Sequence, residues 1–348
     1  MLKNKQGKFK FIDLFAGIGG FHIAMHNVGG ECVFASEWDR FARITYEDNF
    51  KKTSPELFKN GNFNCDINEA DPKKIPDFDI LCAGFPCQPF SHAGLKKGFE
   101  DTRGTLFFNI AKIIDTKKKK GKAPKVLLLE NVKGLRGHDK GRTLKTIIEV
   151  LNDLGYNVET KVLNSKYFGV PQNRERLFIV AWLGNKKAPK GFKFPLGLDK
   201  NNKPVFDEKI LQLKAKQVKV ADILLPKVED KYTISDRLYA GHIRRLKEHK
   251  EKGNGFGFSL FTPDSNYTST ISARYYKDGS EILIRQENAN PRKLHPIEAG
   301  LLQGYPIDNG FKIVVSDAQA YKQFGNSVSV PVVKTLAIEI KKQLLVIK

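Results

Sequence analysis

Between residues 9 and 183 the apolar and polar positions alternate between two periods. Apolar-rich stretches at 10–15, 32–36, 79–83, 126–129 and 176–181 predict strands. Between them, residues 21–28 and the stretch running through Tyr46 read as helices. Leu106, Phe107, Ile110, Ile113 and Ile114 recur at helical spacing, as do Leu144, Ile147, Ile148, Leu151 and Leu154, where Gly155 supplies a stop. This βαβα order predicts a mostly parallel sheet covered by helices on both faces. From about Asn185 to Arg292 the pattern breaks. Long apolar runs are few, and turn signals at 253–257 and Asp278-Gly279 flank short β-rich pieces at 267–272 and 281–285. A second, smaller, loop- and strand-rich domain is expected there. Helical patterning returns at 297–302 and from Val328 onward.

Composition adds the class of partner. The chain has 348 residues, 41% hydrophobic and 28% charged, which suits a globular protein with a core. Its first eight residues lack the apolar stretch of a signal peptide, and no segment is long and apolar enough to span a bilayer, so a cytoplasmic protein without a membrane role is expected. Cys32, Cys65, Cys82 and Cys87 follow no common zinc spacing, so no metal is expected and free thiols are. The formal net charge of +21 favours a polyanionic partner, although a lysine-rich composition inherited from an AT-rich genome gives the same number. The run at 117–120 reads as a solvated loop.

The chemistry clusters at strand ends. Strand 10–15 runs into Asp13-Leu14-Phe15-Ala16-Gly17-Ile18-Gly19-Gly20, a glycine turn that lets a ligand approach the backbone. Glu37 follows Gly17 by twenty residues, at the end of the next strand, where a carboxylate takes ribose hydroxyls, and Trp38 offers a face for an adenine ring. A packing turn beside an exposed acid is the plainer reading. Asp66-Ile67, before the strand at 79–83, is placed to meet the adenine edge, or is a solvated loop acid. Gly84-Phe85-Pro86-Cys87-Gln88-Pro89 displays a thiol on a stiff loop after a buried strand, and as a thiolate Cys87 is a strong nucleophile. Glu130, closing the strand at 126–129, points into the same cleft as Cys87, a candidate acid unless it caps or pairs. Arg174 and Arg176 alternate along an extended segment and so share a face, a pair suited to a phosphate or a base carbonyl.

Taken together, the stretches 11–21, 36–39, 66–67, 79–91, 130–132, 167–178, 292–306 and 323–328 resemble the motifs of bacterial cytosine-5 DNA methyltransferases, in that family's order and over nearly the whole chain. The resemblance implies a Rossmann-like α/β sheet dependent on S-adenosylmethionine. Residues 1–190 plus 322–348 would form the catalytic domain, 191–291 the target-recognition domain and 292–321 a hinge. It implies cofactor contacts from Phe15, Gly17, Gly19, Glu37, Trp38, Asp66, Ile67, Pro86, Leu106 and Asn326, and catalytic roles for Cys87, Glu130, Arg174 and Arg176. Carbon 6 of a flipped cytosine would be the target of Cys87, with the loop 91–98 closing over the base. Ser91, Asn254, Thr270, Ile271, Arg274, Tyr275 and Lys277 are the expected DNA contacts. Double-stranded DNA is the implied partner, a cognate restriction endonuclease acting separately the implied companion, and a monomer the implied state. An RNA cytosine methyltransferase and a catalytically silent DNA-binding relative are the alternatives. The long segment 181–291 and the intact Cys87, Glu130 and Arg176 weigh against them.

Overall fold

A computed structural model describes residues 9–86, 106–184, 189, 191–253 and 257–344. It divides into two compact units, a larger one from 2–163, 175–195 and 332–348, and a smaller one from 164–174 and 196–331.

The larger unit runs β1 (Phe9–Leu14), α1 (Gly20–Asn27), β2 (Gly30–Ser36), α2 (Arg40–Phe50), β3 (Phe63–Asn64), β4 (Ile80–Gly84), α3 (Leu106–Lys119), β5 (Val126–Val132), α4 (Arg142–Asp153), β6 (Tyr156–Asn164) and β7 (Glu175–Leu183). The strands form one seven-stranded sheet in the order β3-β2-β1-β4-β5-β7-β6. β1 to β5 are parallel, and β7 lies antiparallel to β5. Central strands covered on both faces read as unbroken apolar runs, and here Leu127, Leu128, Ile179 and Val180 are fully buried. The parallel strands release their carboxyl ends at one edge. Strand order reverses direction between β1 and β4, the crevice where open α/β sheets take ligands. Asp39 caps α2, its carboxylate accepting from the backbone N–H of Phe41 and Ala42. β6 is absent from the sequence expectation; it is an edge strand whose residues are mostly half-buried.

The lysine run is a correction. It does not form a solvated loop: Lys117 lies in the last turn of α3, 2% exposed, its ammonium donating to the Ile75 carbonyl and to Asp77 (2.9 Å). The ammonium lies 6.0 Å from the centre of the Phe78 ring, and its charge is met by one carboxylate and one carbonyl.

The smaller unit has little regular sheet. β8 (Gly197–Leu198) pairs with β9 (Pro204–Val205), and β10 (Leu260–Phe261) with β11 (Leu283–Ile284). Its helices are α5 (Glu208–Lys214), α6 (Asp236–Glu251), α7 (Pro296–Leu302) and α8 (Asp317–Asn326). Residues 267–272, expected as a strand, make one bridge, Gln172 to Thr268. α6, unforeseen, is capped by the Ser235 hydroxyl and is polar almost all round, with His242 its buried residue. The segments 292–321 and 322–331 group with this unit, as does 164–174. A last helix, α9 (Val330–Leu344), ends in the larger unit, where Lys341 donates to the Val28 carbonyl.

Candidate active site

The turn after β1 is shaped by backbone that ordinary residues avoid. Phe15 has φ +56°, Gly17 +55° and Gly19 +84°. A methyl group on Gly19 would overlap the Phe50 ring, so this glycine is needed for packing. One on Gly17 would meet nothing within 4 Å, so this glycine borders open space. The Gly17 N–H donates to Glu37 Oε2 and the Asp39 N–H to Glu37 Oε1, both at 2.7 Å. Glu37 therefore ties the ends of β1 and β2 together, with lone pairs on both oxygens still free of these bonds. Burial raises its carboxyl above the ordinary range, the two N–H donors opposing. Trp38 beside it is 75% exposed.

Asp66 Oδ1 accepts from the backbone and side-chain nitrogens of Asn68, a turn that fixes the loop before β4. Ile67 is buried in the same apolar cluster that Phe15 and Leu106 pack against. Pro86, exposed, ends the described run after β4. An open cradle at Gly17, an oriented carboxylate, an exposed indole and apolar side chains from β1, α3 and the 66–67 loop suit a nucleoside-bearing cofactor. Asn326, exposed at the end of α8, belongs to the smaller unit.

Glu130 stands opposite Gly84 on β4 and Phe178 on β7. Arg176 stands opposite Val132, two residues along, so the two charged side chains share a face diagonally. Arg176 Nε lies 3.2 Å from Glu130 Oε1, both largely buried. Burial lowers the Arg176 guanidinium from its ordinary value, the Glu130 charge opposing. Asn131 Nδ2 donates to the Phe85 carbonyl (2.8 Å), anchoring the start of the loop after β4. Cys87, on that loop, lies outside the described residues, as do Ser91, the 91–98 segment and Asn254.

The arginine pair is a second correction. Arg176 begins β7 in the larger unit, whereas Arg174 belongs to the smaller one. Arg174 is 2% exposed and donates to the carbonyls of Ile271 (3.1 Å), Gly325 (3.1 Å) and Ser327 (2.6 Å). Its guanidinium ties two distant stretches of backbone, at 271 and at 325–327, to the 164–174 segment. Two expected DNA contacts are likewise interior. Ile271 is fully buried, its N–H donating to Gln172 Oε1 (3.0 Å). Tyr275 is fully buried, its hydroxyl donating to the Ile282 carbonyl (2.7 Å) and accepting from the Leu294 N–H (2.8 Å). Thr270 donates its hydroxyl to the Asn173 carbonyl (2.7 Å). Arg274 and Lys277 are exposed.

Beneath the glycine turn lies a polar group that the sequence reading did not connect. His22 on α1 is fully buried and stacked on Phe50 (4.0 Å between centroids). Its Nδ1 meets the Tyr46 hydroxyl (2.7 Å) and its Nε2 the Ser54 hydroxyl (3.2 Å). Burial lowers its pKa to about 3, so the ring is neutral. Burial also raises the Asp13 carboxyl well above its ordinary range. A histidine in an apolar run was the available signal. Among the described residues, no cluster of His, Cys, Asp or Glu could hold a metal ion, and no helix is long and apolar enough to cross a membrane.

Residues 9–342 match the family model for C-5 cytosine-specific DNA methylase. The chain is 50% identical over 339 residues to the type II methyltransferase M.NlaX of Neisseria lactamica, covering 97% of each. It is 51% identical over 340 residues to M.SsoII of Shigella sonnei, covering 97% of this chain and 81% of that one. A structure of S. pombe Dnmt2 methyltransferase shares the fold, with a TM-score of 0.70 at 20% identity over 97% of this chain and 99% of the other.

Proposed function

Because the chain belongs to the C-5 cytosine-specific DNA methylase family, we propose that Cys87, Glu130 and Arg176 are the groups that act on the cytosine. The reaction is methyl transfer from S-adenosylmethionine to carbon 5 of a cytosine in DNA. The support for the residue roles is the Glu130–Arg176 pair at the carboxyl edge of the sheet, in register with the end of β4, the strand that leads to Cys87.

Carbon 5 of cytosine is a poor nucleophile. Addition of the Cys87 thiolate to carbon 6 forms an S–C6 bond and moves the ring's π pair onto carbon 5. Glu130 meets ring nitrogen 3 and the amino group, where charge develops, and Arg176 fixes the Glu130 carboxylate while reaching the ring carbonyl. S-adenosylmethionine, which Phe15, Gly17, Glu37, Trp38, Asp66, Ile67, Pro86 and Leu106 would hold, would supply the methyl group as an electrophile, carbon 5 taking it as the methyl–sulfur bond breaks and S-adenosylhomocysteine leaves. Loss of the carbon-5 proton to water then restores the C5=C6 bond and expels the Cys87 thiolate. The base must leave the duplex for this geometry. Asn326 completes the cofactor contacts, Ser91 and Asn254 meet DNA, and Arg174 supports the site as scaffold rather than as a substrate group.

We further propose that the protein acts as a cytoplasmic monomer within a restriction-modification pair, protecting DNA from a separately acting endonuclease. Cys87→Ser tests the central assignment. Turnover should fall by about a thousandfold or more, with S-adenosylmethionine affinity by calorimetry unchanged. Methylation at the wild-type rate would remove Cys87 from the mechanism. Bisulfite sequencing of DNA from cells expressing the wild-type protein would identify the site.

A further inference from the structure

In the smaller unit, α6, the turn at 274–281 and the pair Gly257-Phe258 line an open cleft of about 390 Å³. Arg245, His242 and His249 line it from α6, and Arg274, Lys277 and Glu281 from the turn. One internal bracket sets its shape. Arg245 donates to His242 Nδ1 (2.8 Å) and lies 3.3 Å from Asp278 Oδ2 through both terminal nitrogens. A guanidinium only donates, so His242 Nδ1 is an acceptor and Nε2 carries the hydrogen, donated to the Asp278 carbonyl (3.3 Å). His242 is thereby a neutral ring in a fixed tautomer, bonded to a cation on one side and to turn backbone on the other. Burial lowers its pKa, in keeping with that state.

The carboxylates around the cleft are engaged. Asp278 pairs with Arg245, and Glu281 accepts from the Ser272 hydroxyl. Arg274 and Lys277 make no ion pair among the described residues, and both are exposed. The outer face of α6 adds Arg237, Arg244 and Lys247, all exposed. Among the described residues, no Asn or Gln side chain, the usual paired donor and acceptor for adenine, lines the space. Exposed cations without a carboxamide suit a phosphodiester or a guanine edge, and phosphate takes the larger share of protein–DNA contacts.

We propose that this cleft is a DNA-backbone subsite, in which Arg274 and Lys277 contact phosphate and the His242–Arg245–Asp278 bracket positions the turn that carries them. The proposal rests on the DNA-methylating reading above. It assigns the two exposed cations to sequence-independent anchoring, and it gives α6 a role that its polar sequence did not suggest.

The test uses the full-length protein and two duplexes of about 30 base pairs, one containing the site found by bisulfite sequencing and one with that site scrambled. In Arg274→Gln/Lys277→Gln, affinity for both duplexes should fall by about the same factor, and the slope of log affinity against log salt should become shallower by about 1 to 2. The KM for DNA should rise while kcat and S-adenosylmethionine affinity hold. His242→Gln keeps an acceptor for Arg245 and a donor for Asp278 and should retain the wild-type salt slope; His242→Leu loses both and should show the shallower one. Loss of affinity for the specific duplex alone, with an unchanged slope, would make these residues base readers and overturn the proposal, as would an unchanged slope with no loss. If His242→Leu does not fold, the double variant and His242→Gln decide. Wild-type protein that methylates neither duplex would instead overturn the enzymatic reading.

Discussion

The two units keep their interiors dry by different means. In the larger one, strand hydrogen bonds satisfy the backbone, and the space between sheet and helices is filled by aliphatic side chains such as Leu127, Leu129, Ile147 and Ile179. In the smaller one, with few strands, buried polar side chains meet the backbone. Gln172 donates to the Leu302 carbonyl, Gln303 to the Phe324 carbonyl, and Arg174 to three carbonyls. Arg292 and Glu298 form a two-bond pair (2.7 and 2.9 Å) whose carboxylate also accepts from the N–H groups of Leu225 and His295. Backbone polar groups need partners wherever water is excluded. Where a fold gives up sheet, side chains must supply them.

The largest test of this contrast is Glu298→Ala. It strands the buried Arg292 charge and two N–H groups, and should cost about 3–5 kcal/mol in denaturant unfolding. A loss under about 1 kcal/mol would mean that apolar packing carries the smaller unit after all. Next is one of the larger unit's buried polar side chains, His22. Its folded pKa of about 3 lies below the ordinary 6.5. The stability it contributes is therefore whole above pH 6.5 and is lost as pH falls from there toward 3. Between pH 6.5 and 4.5 the wild type should lose about 2–3 kcal/mol more than His22→Gln; parallel pH profiles would show that the ring does not stay neutral. The smallest effect on folding separates the two glycines of the turn. Gly19→Ala should lower stability by about 1–3 kcal/mol, because the Phe50 ring must move. Gly17→Ala carries only its backbone strain of about 1–2 kcal/mol, and should instead raise the S-adenosylmethionine Kd. Equal effects on Tm with no change in Kd would remove Gly17 from the cofactor cradle.

The same contrast explains what could be read in the sequence. The central strands were legible because burial on both faces writes continuous apolar runs, and the glycine turn with Glu37 stood at strand ends fixed by those runs. β6 escaped because half-buried edge residues blur the alternation, and α6 because a helix with one buried residue has no apolar stripe. Arg174 and Lys117 are buried where the sequence suggests surface cations, for one reason. A buried cation looks in sequence like a surface one until its acceptors are known, and those of Arg174 lie 97 to 153 residues away. Tyr275 follows the same rule, since an aromatic in a turn-rich segment reads equally as a ligand contact or a core anchor.

The path of the chain also limits how such a protein can be recombined. It passes between the units after Leu163, Arg174, Pro195 and Pro331. The smaller unit is thus not one cassette. A transplant cut at 191 and 291 would leave Gln172 and Arg174 with the host, while replacing the Ile271 N–H and carbonyl that they bind. Chimaeras between relatives should be more stable when the short 164–174 stretch travels with the longer piece than when it stays behind, so that inheritance of the smaller unit is bipartite.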